Sequence, residues 1–387
     1  MKRAAIIILD GVGIGAAPDA ASYGDVGSDT LGNVARECGG LALPRLEQFG
    51  LGNIKDLAGV RRRGDAEGAW GSMRPASAGK DSTAGHWEIA GIHLERPFPT
   101  FPTGFPRAVI EEFSRATGRG VIANVVASGT AVIEHYGDEH VKSGAWIVYT
   151  SADSVFQIAA HEEVVPLAEL YEGCRIAREI LKPPYDVSRV IARPFTGASG
   201  SFERTANRRD YSIEPGSETL LDALRAGGIA RAGVGKVDDL FGGRSISAQH
   251  TASNAEGIRR ITQWLSSSES GLLFANLVDF DQLFGHRNDV PGFYGALREF
   301  DAALPSITSH LKEEDLLFIT ADHGNDPTTP STDHAREIVP LLAGGLRVVP
   351  GDLGERETFS DLGATIAEWF GITFRGRGTS FLPELVV

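Results

Sequence analysis

Acids and imidazoles come in pairs in the stretch 315–343, DLLFITADHGNDPTTPSTDHAREIVPLLA. A strand-like run, Leu316 to Thr320, ends in Ala-Asp-His-Gly and sets Asp322 and His323 where a buried strand meets a loop. Eleven residues on, Asp333 and His334 repeat the pairing. Gly324, Asn325, Pro327, Thr328, Pro330 and Ser331 lie between and make a turn-rich loop able to fold the second pair back. Mixed carboxylate and imidazole ligation suits a divalent cation, Mn or Zn better than Ca.

Other stretches carry the same chemistry. The apolar run Ala4–Leu9 leads into Asp10-Gly11-Val12-Gly13-Ile14-Gly15. A dinucleotide turn is not the reading, because the third glycine is one position early and the acid stands at the strand end, not about 20 residues later. A strand-end Asp is also an ordinary helix cap, so Asp10 gains weight only in company. Asp281 and His286 supply that company, following the apolar run 271–278 within DFDQLFGH. Residues 77–91, SAGKDSTAGHWEIAG, add a hydroxyl, Ser82 or Thr83, in a small-residue turn at a helix start. Either could serve as an N-cap. Either could also attack phosphorus, since a divalent cation lowers the pKa of a coordinated alcohol. No G-x-S-x-G elbow occurs, so a Ser-His-Asp hydrolase has no support.

These residues need elements that bring them together. From residue 215 the chain alternates between helical and strand-like stretches: helices at 218–226, 255–265, 292–310 and 360–370, and strands at 229–234, 271–278, 315–320 and 338–343. That alternation predicts a doubly wound, mostly parallel α/β sheet, whose ligands lie beyond the carboxyl ends of its strands. Asp10, Asp281, His286, Asp322, His323 and His334 all fall at or just after expected strand ends. Residues 39–52 read as loop. Pro97, Pro99, Pro102 and Pro106 mark a linker, so the chain reads as core residues 1–95, an inserted α+β cap at 96–214, and core residues 215–387. In the cap, Arg193, Arg204, Arg208 and Arg209 form a basic segment. For any one of them a surface ion pair is the ordinary role, but as a group their planar forks suit a phosphate, and Lys236 joins them as a candidate.

With 37 Lys+Arg against 51 Asp+Glu the net charge is −14, which argues against nucleic acid as a partner. Cys38 and Cys174 are the two cysteines, too few for a disulfide framework or thiolate zinc site, and a reducing, cytoplasmic location is expected. The N-terminal apolar run is expected to be a strand and not an export signal, and no run reaches the roughly 18–20 residues of a membrane span.

Taken in order, DGVGIGAAPDA, GSDTLGN, GKDSTAGHWEIAG, YTSADSVFQIAAHE, RVIARPF, NRRDY, NLVDFDQLFGHR and TADHGNDPTTPSTDHAREIVPLL resemble the alkaline phosphatase superfamily. Within it they resemble the metal-dependent, cofactor-independent phosphopentomutase family, over nearly the whole length. The resemblance implies an alkaline-phosphatase-like sheet with an inserted cap, and two Mn2+ ions, with other divalent metals allowed. One ion would be held by Asp281, His286 and His334, the other by Asp10, Asp322 and His323, bridged by a nucleophile that becomes phosphorylated. The family's G-K-D-T-x-T-G-H has its first Thr at Ser82 and its second at Ala84. Register therefore favours Ser82 as phosphate carrier, with Thr83 the alternative. Asp153, Arg193, Arg204 and Lys236 are implied substrate contacts. The implied reaction interconverts (deoxy)ribose 1-phosphate and 5-phosphate, with a sugar bisphosphate as intermediate and activating primer and a water-excluding cap. A small-molecule sugar phosphate is the expected partner and a monomer the expected state. A phosphomonoesterase of the same superfamily would keep both metals and the serine, whereas a non-catalytic metal-binding protein would need no hydroxyl.

Overall fold

The structure is a computed structural model that describes residues 2–151 and 153–386. Its contacts divide the chain into two units, one running to Pro97 and resuming at Pro215, the other Phe98–Glu214. The first break falls just past the proline-rich linker's Arg96.

The first unit is built on an eight-stranded sheet. Its central strand, Arg3–Leu9, is flanked on either side by parallel strands, Gly271–Leu277 and Asp315–Thr320. All three are buried along their full length, as continuous apolar runs must be when helices cover both faces of a sheet. One helix group comprises Thr30–Glu37, Pro44–Gln48, Asn254–Ser266 and Val290–Thr308, and another Ser82–Ile89, Leu220–Ala226 and Ser360–Phe370. The short helices Pro44–Gln48 and Leu51–Ile54 occupy much of the stretch expected to be loop.

Register decides where the chemistry ends up. Leu9 pairs with Leu277 and Ile8 with Thr320, so the three strands finish level and Asp10, Asp281 and Asp322 leave the sheet at one edge. At the other end Arg3 pairs with Asp315 across the same two strands: its Nε donates to Asp315 Oδ1 at 2.8 Å, its Nη2 to Oδ2, and its Nη1 to the Leu265 carbonyl at 2.8 Å. A buried ion pair with its hydrogen bonds satisfied does more for specificity than for stability, because a one-residue slip would leave both charges unpaired.

Val339–Gly344 departs from the expected parallel order. It runs antiparallel to both neighbours, Asp315–Thr320 and Ala69–Met73. His334 therefore does not follow a strand end as expected. It precedes a reversed strand, whose start lies at the edge where the parallel strands finish.

The second unit has its own six-stranded mixed sheet, in which Trp146–Thr150 pairs with Val121–Val126 and Val155–His161, and Arg189–Thr196 lies beside the latter. Alternation along Trp146–Thr150 sends Trp146 and Val148 into a cluster with Phe113, Leu170 and Cys174, while Ile147 and Tyr149 face Val132 and Ile133 of the helix Gly129–Ser143. Each face is thus closed by helices. Both cysteines are free.

Candidate active site

The hydroxyl stretch lies on the helix Ser82–Ile89. Its cap is neither Ser82 nor Thr83 but Asp81, whose Oδ1 accepts from the backbone N–H of Thr83 and Ala84 at 3.0 and 3.1 Å. Relieved of capping, Ser82 directs Oγ to within 3.1 Å of His323 Nε2, while Thr83 is buried in the first turn. Close approach of this helix to the strand end depends on Gly85, where a Cβ would come within 2.1 Å of the Asp322 carbonyl oxygen. Gly11, at φ +76°, turns the chain after Asp10 so that its N–H reaches Asp322 Oδ1 at 3.2 Å.

Around Ser82 the acids and imidazoles converge. His323 Nε2 stands 3.3 Å from Asp10 Oδ1 and 3.5 Å from Asp322 Oδ2. Nearby, Asp281 lies 3.1 Å from His286 Nε2 through Oδ2 and 3.4 Å from His334 Nε2 through Oδ1. The two sets adjoin, with the rings of His323 and His334 4.3 Å apart, and ligand atoms of Asp281 group with those of His286 and His334 and also with those of Asp10 and His323. All six acid and imidazole residues singled out in the sequence are therefore together.

Their geometry fits cations. Ligands about 2.1 Å from one ion stand about 3.0 Å apart at right angles and about 3.4 Å apart at tetrahedral angles, the spacings seen here. Asp10 Oδ1 and Asp322 Oδ2 are buried and have no hydrogen-bond donor among the described residues. Two histidines are turned for ligation: the Nδ1 of His323 donates to the Gly324 carbonyl at 3.0 Å and that of His286 to the Thr332 carbonyl at 2.6 Å, which leaves Nε2 on the metal side. Electrostatics agree. Burial, then the Asp322 and Asp281 carboxylates, push the Asp10 carboxyl up. Burial opposes charge on His323, yet Asp322 and Asp10 hold it well above the usual histidine range. Burial likewise works against the Asp281 and Asp322 carboxylates, but the imidazoles, His334 foremost for the first and His323 for the second, keep both low. The pocket demands positive charge.

Several supporting residues were not singled out in the sequence. Asn276 Nδ2 donates to Asp10 Oδ2 at 3.0 Å, and Asn325 Nδ2 to Asp281 Oδ1 at 2.6 Å. His86, fully buried against Phe274, donates Nδ1–H to the Ser82 carbonyl at 2.9 Å and lies 3.1 Å from Asp322 Oδ2. Asn276 and Asn325 sit at or just past strand ends, a position that could have marked them.

The expected substrate contacts fall in both units. Lys236 is in the first, donating to Gln282 Oε1 at 2.6 Å. The others belong to the second, where Asp153 is exposed and Arg193 donates Nε to Gln157 Oε1 at 3.1 Å. Burial and the neighbouring Arg208 push the Arg193 guanidinium down. Arg204 lies near the start of the helix Gly129–Ser143: a Cβ on Gly129 would stand 3.4 Å from its Nη1 and 2.8 Å from the Tyr149 hydroxyl. That hydroxyl is buried and has no hydrogen-bond partner among the described residues. A helix N-terminus, arginines and an unpartnered hydroxyl make an anion-receptive corner.

A family model described as the Metalloenzyme superfamily matches residues 2–373. The phosphopentomutase of Desulfitobacterium hafniense is 55% identical over the full length of both chains, and that of Caldanaerobacter subterraneus is 54% identical over all of this chain and 98% of its own. The chain belongs to the phosphopentomutase family. As a phosphopentomutase-family chain it is a metal-dependent enzyme of the isomerase class, a mutase acting by phosphoryl transfer. Among solved structures, the PH0037 protein from Pyrococcus horikoshii matches 97% of the chain with a TM-score of 0.50 at 15% identity, a likeness of fold alone. No helix among the described residues is long and apolar enough to cross a membrane.

Proposed function

We propose that the chain interconverts (deoxy)ribose 1-phosphate and (deoxy)ribose 5-phosphate through a phosphorylated Ser82 and a sugar bisphosphate. The observation that carries the assignment is the 3.1 Å approach of Ser82 Oγ to His323 Nε2 within the acid and imidazole cluster. Asp281, His286 and His334 hold one Mn2+, and Asp10, Asp322 and His323 the other. Bound there, the cations supply Lewis-acid stabilisation of phosphoryl charge and a lowered alcohol pKa.

The chain's own residues do the rest. Asp81 fixes the first turn so that Ser82 Oγ, not Thr83, faces the cluster, and His86 holds the Ser82 carbonyl. In the forward half-reaction the phosphoserine P–Oγ bond breaks as the free hydroxyl of the sugar monophosphate forms its own bond to phosphorus. That hydroxyl's proton ends on Ser82 Oγ, leaving a bisphosphate. After the sugar turns round, Ser82 takes the other phosphate, and the released sugar oxygen takes up the proton. Asp153, Arg193, Arg204 and Lys236 are the contacts to the ribose or its phosphate.

The test is direct. (Deoxy)ribose 1-phosphate incubated with the enzyme, Mn2+ and catalytic sugar bisphosphate should give the 5-phosphate with no net inorganic phosphate. Stoichiometric phosphate release would mark a phosphomonoesterase instead, and no turnover a metal-binding protein.

A further inference from the structure

The loop that leads to Ser82 is held by a buried arginine that no ligand needs. Arg336 follows His334 by two residues and is 3% exposed. Its Nη1 donates to the carbonyls of Ser77 and Gly79, both at 2.6 Å, and its Nη2 to the Pro75 carbonyl at 2.9 Å. Asp19 completes the fork, accepting from Nε at 3.1 Å and Nη2 at 3.0 Å. The same loop is gripped from its amide side by Glu88, 1% exposed, which accepts from the N–H groups of Ala76 and Ser77 at 2.8 and 2.6 Å. Residues 75–79 thus have carbonyls bound to a cation from the His334 segment and amides bound to an anion from the Ser82 helix.

Such an arrangement is expensive as pure scaffolding. A buried guanidinium contributes little net stability compared with apolar packing of similar volume, and the three carbonyls and one carboxylate it binds point to a geometric duty. The duty is visible in what it joins. One end of the clasp is the segment that delivers His334 to the metal cluster; the other is the loop that ends at Ser82. A second tie runs in parallel, Lys80 reaching Asp25 at 3.1 Å and Asp333 at 3.3 Å.

We infer that Arg336 is a positioning residue for phosphoryl transfer, setting the distance of Ser82 Oγ from the metal ligands by fixing the loop 75–79 against the His334 segment. A lysine cannot replace it, because one ammonium cannot present a planar fork to three carbonyls and a carboxylate. The inference rests on Ser82 as the phosphate carrier. Since misplacement by about 1 Å costs about 100-fold in rate, Arg336→Lys should slow single-turnover phosphorylation by a sugar bisphosphate by about 10–100-fold.

The readouts separate positioning from general damage. In Arg336→Lys, bound Mn2+ and KM for the sugar phosphate should stay near wild type while kcat falls. Asp19→Asn, a change at a half-exposed carboxylate, should fold normally and lower kcat severalfold in the same way; if Arg336→Lys does not fold, this variant decides the matter. Wild-type phosphorylation rates in a folded variant, or losses confined to KM or metal content, would overturn the inference. Phosphate mapped in the wild-type enzyme to a residue other than Ser82 would overturn the functional reading instead, so the two failures are distinct.

Discussion

Asn276→Ala should weaken one of the two metal sites and spare the other. Asn276 is buried, and its Nδ2 donates to Asp10 Oδ2 at 3.0 Å while its Oδ1 has no partner among the described residues. Truncation therefore deletes one hydrogen bond to a carboxylate without stranding a second group. A bond to a charged group contributes about 1.5–3 kcal/mol. Losing a group that orients a ligand carboxylate lowers metal affinity about 10–100-fold, which is about 1.4–2.7 kcal/mol, so the two routes to the magnitude agree. Asn325 plays the matching part for Asp281, donating at 2.6 Å. Calorimetric titration of metal-stripped protein with Mn2+ should resolve two classes, and His286→Ala should identify the class held by Asp281, His286 and His334. Asn276→Ala should then weaken the other class, and Asn325→Ala this one. Equal weakening of both classes by Asn276→Ala, or a titration superimposable on wild type, would refute the assignment of Asp10 to its own ion.

Gly85→Ala should destabilise by about 1–3 kcal/mol and cut activity, because its Cβ would overlap the Asp322 carbonyl and push the Ser82 helix away; thermal melts and kcat check this. Arg204→Ala should raise KM for the sugar phosphate about 10–100-fold, the size expected of a lost hydrogen bond to a charged group, and Tyr149→Phe should raise it less, with kcat little changed in either. Glu337, which accepts from Thr30 N and Oγ1 and from Gly15 N, has its carboxyl pushed up by burial to about 8 from an ordinary 4.5. Between those values the folded protein keeps a proton that the unfolded chain has released, so the contribution to stability is full below about pH 4.5 and is lost as pH rises through about 8. At pH 7 the loss is about 3 kcal/mol. Glu337→Gln, neutral throughout, should flatten the slope of denaturation midpoint against pH over that range.

How far the sequence could be read depended on whether a residue's meaning was local. The strands at 3–9, 271–277 and 315–320 were legible as apolar runs, and so were the acids at their ends, because a carboxylate directly after a buried strand is conspicuous. Direction was not legible. Val339–Gly344 is as apolar as its neighbours, and nothing in its composition says that it runs backwards, yet that reversal is what brings His334 to the cluster. Capping was ambiguous for a different reason: Asp81, Ser82 and Thr83 are all good N-cap residues, and only the fold shows that Asp81 takes the role and leaves Ser82 Oγ available. Asn276 and Arg336 were missed because their partners lie far away along the chain, 266 residues in the case of Asn276 and Asp10 and 259 in the case of Arg336 and Ser77. Such contacts exist only once register is set. The arginines near Tyr149 were legible as a basic segment, but the unpartnered hydroxyl beside them was not.

The most direct test of the central assignment is to expose the metal-loaded enzyme to a sugar bisphosphate, weigh the intact protein and map the phosphopeptide. A single phosphoryl group on Ser82, absent from Ser82→Ala while its metal content is unchanged, is the predicted result. Phosphate on Thr83, or labelling that persists in Ser82→Ala, would contradict it.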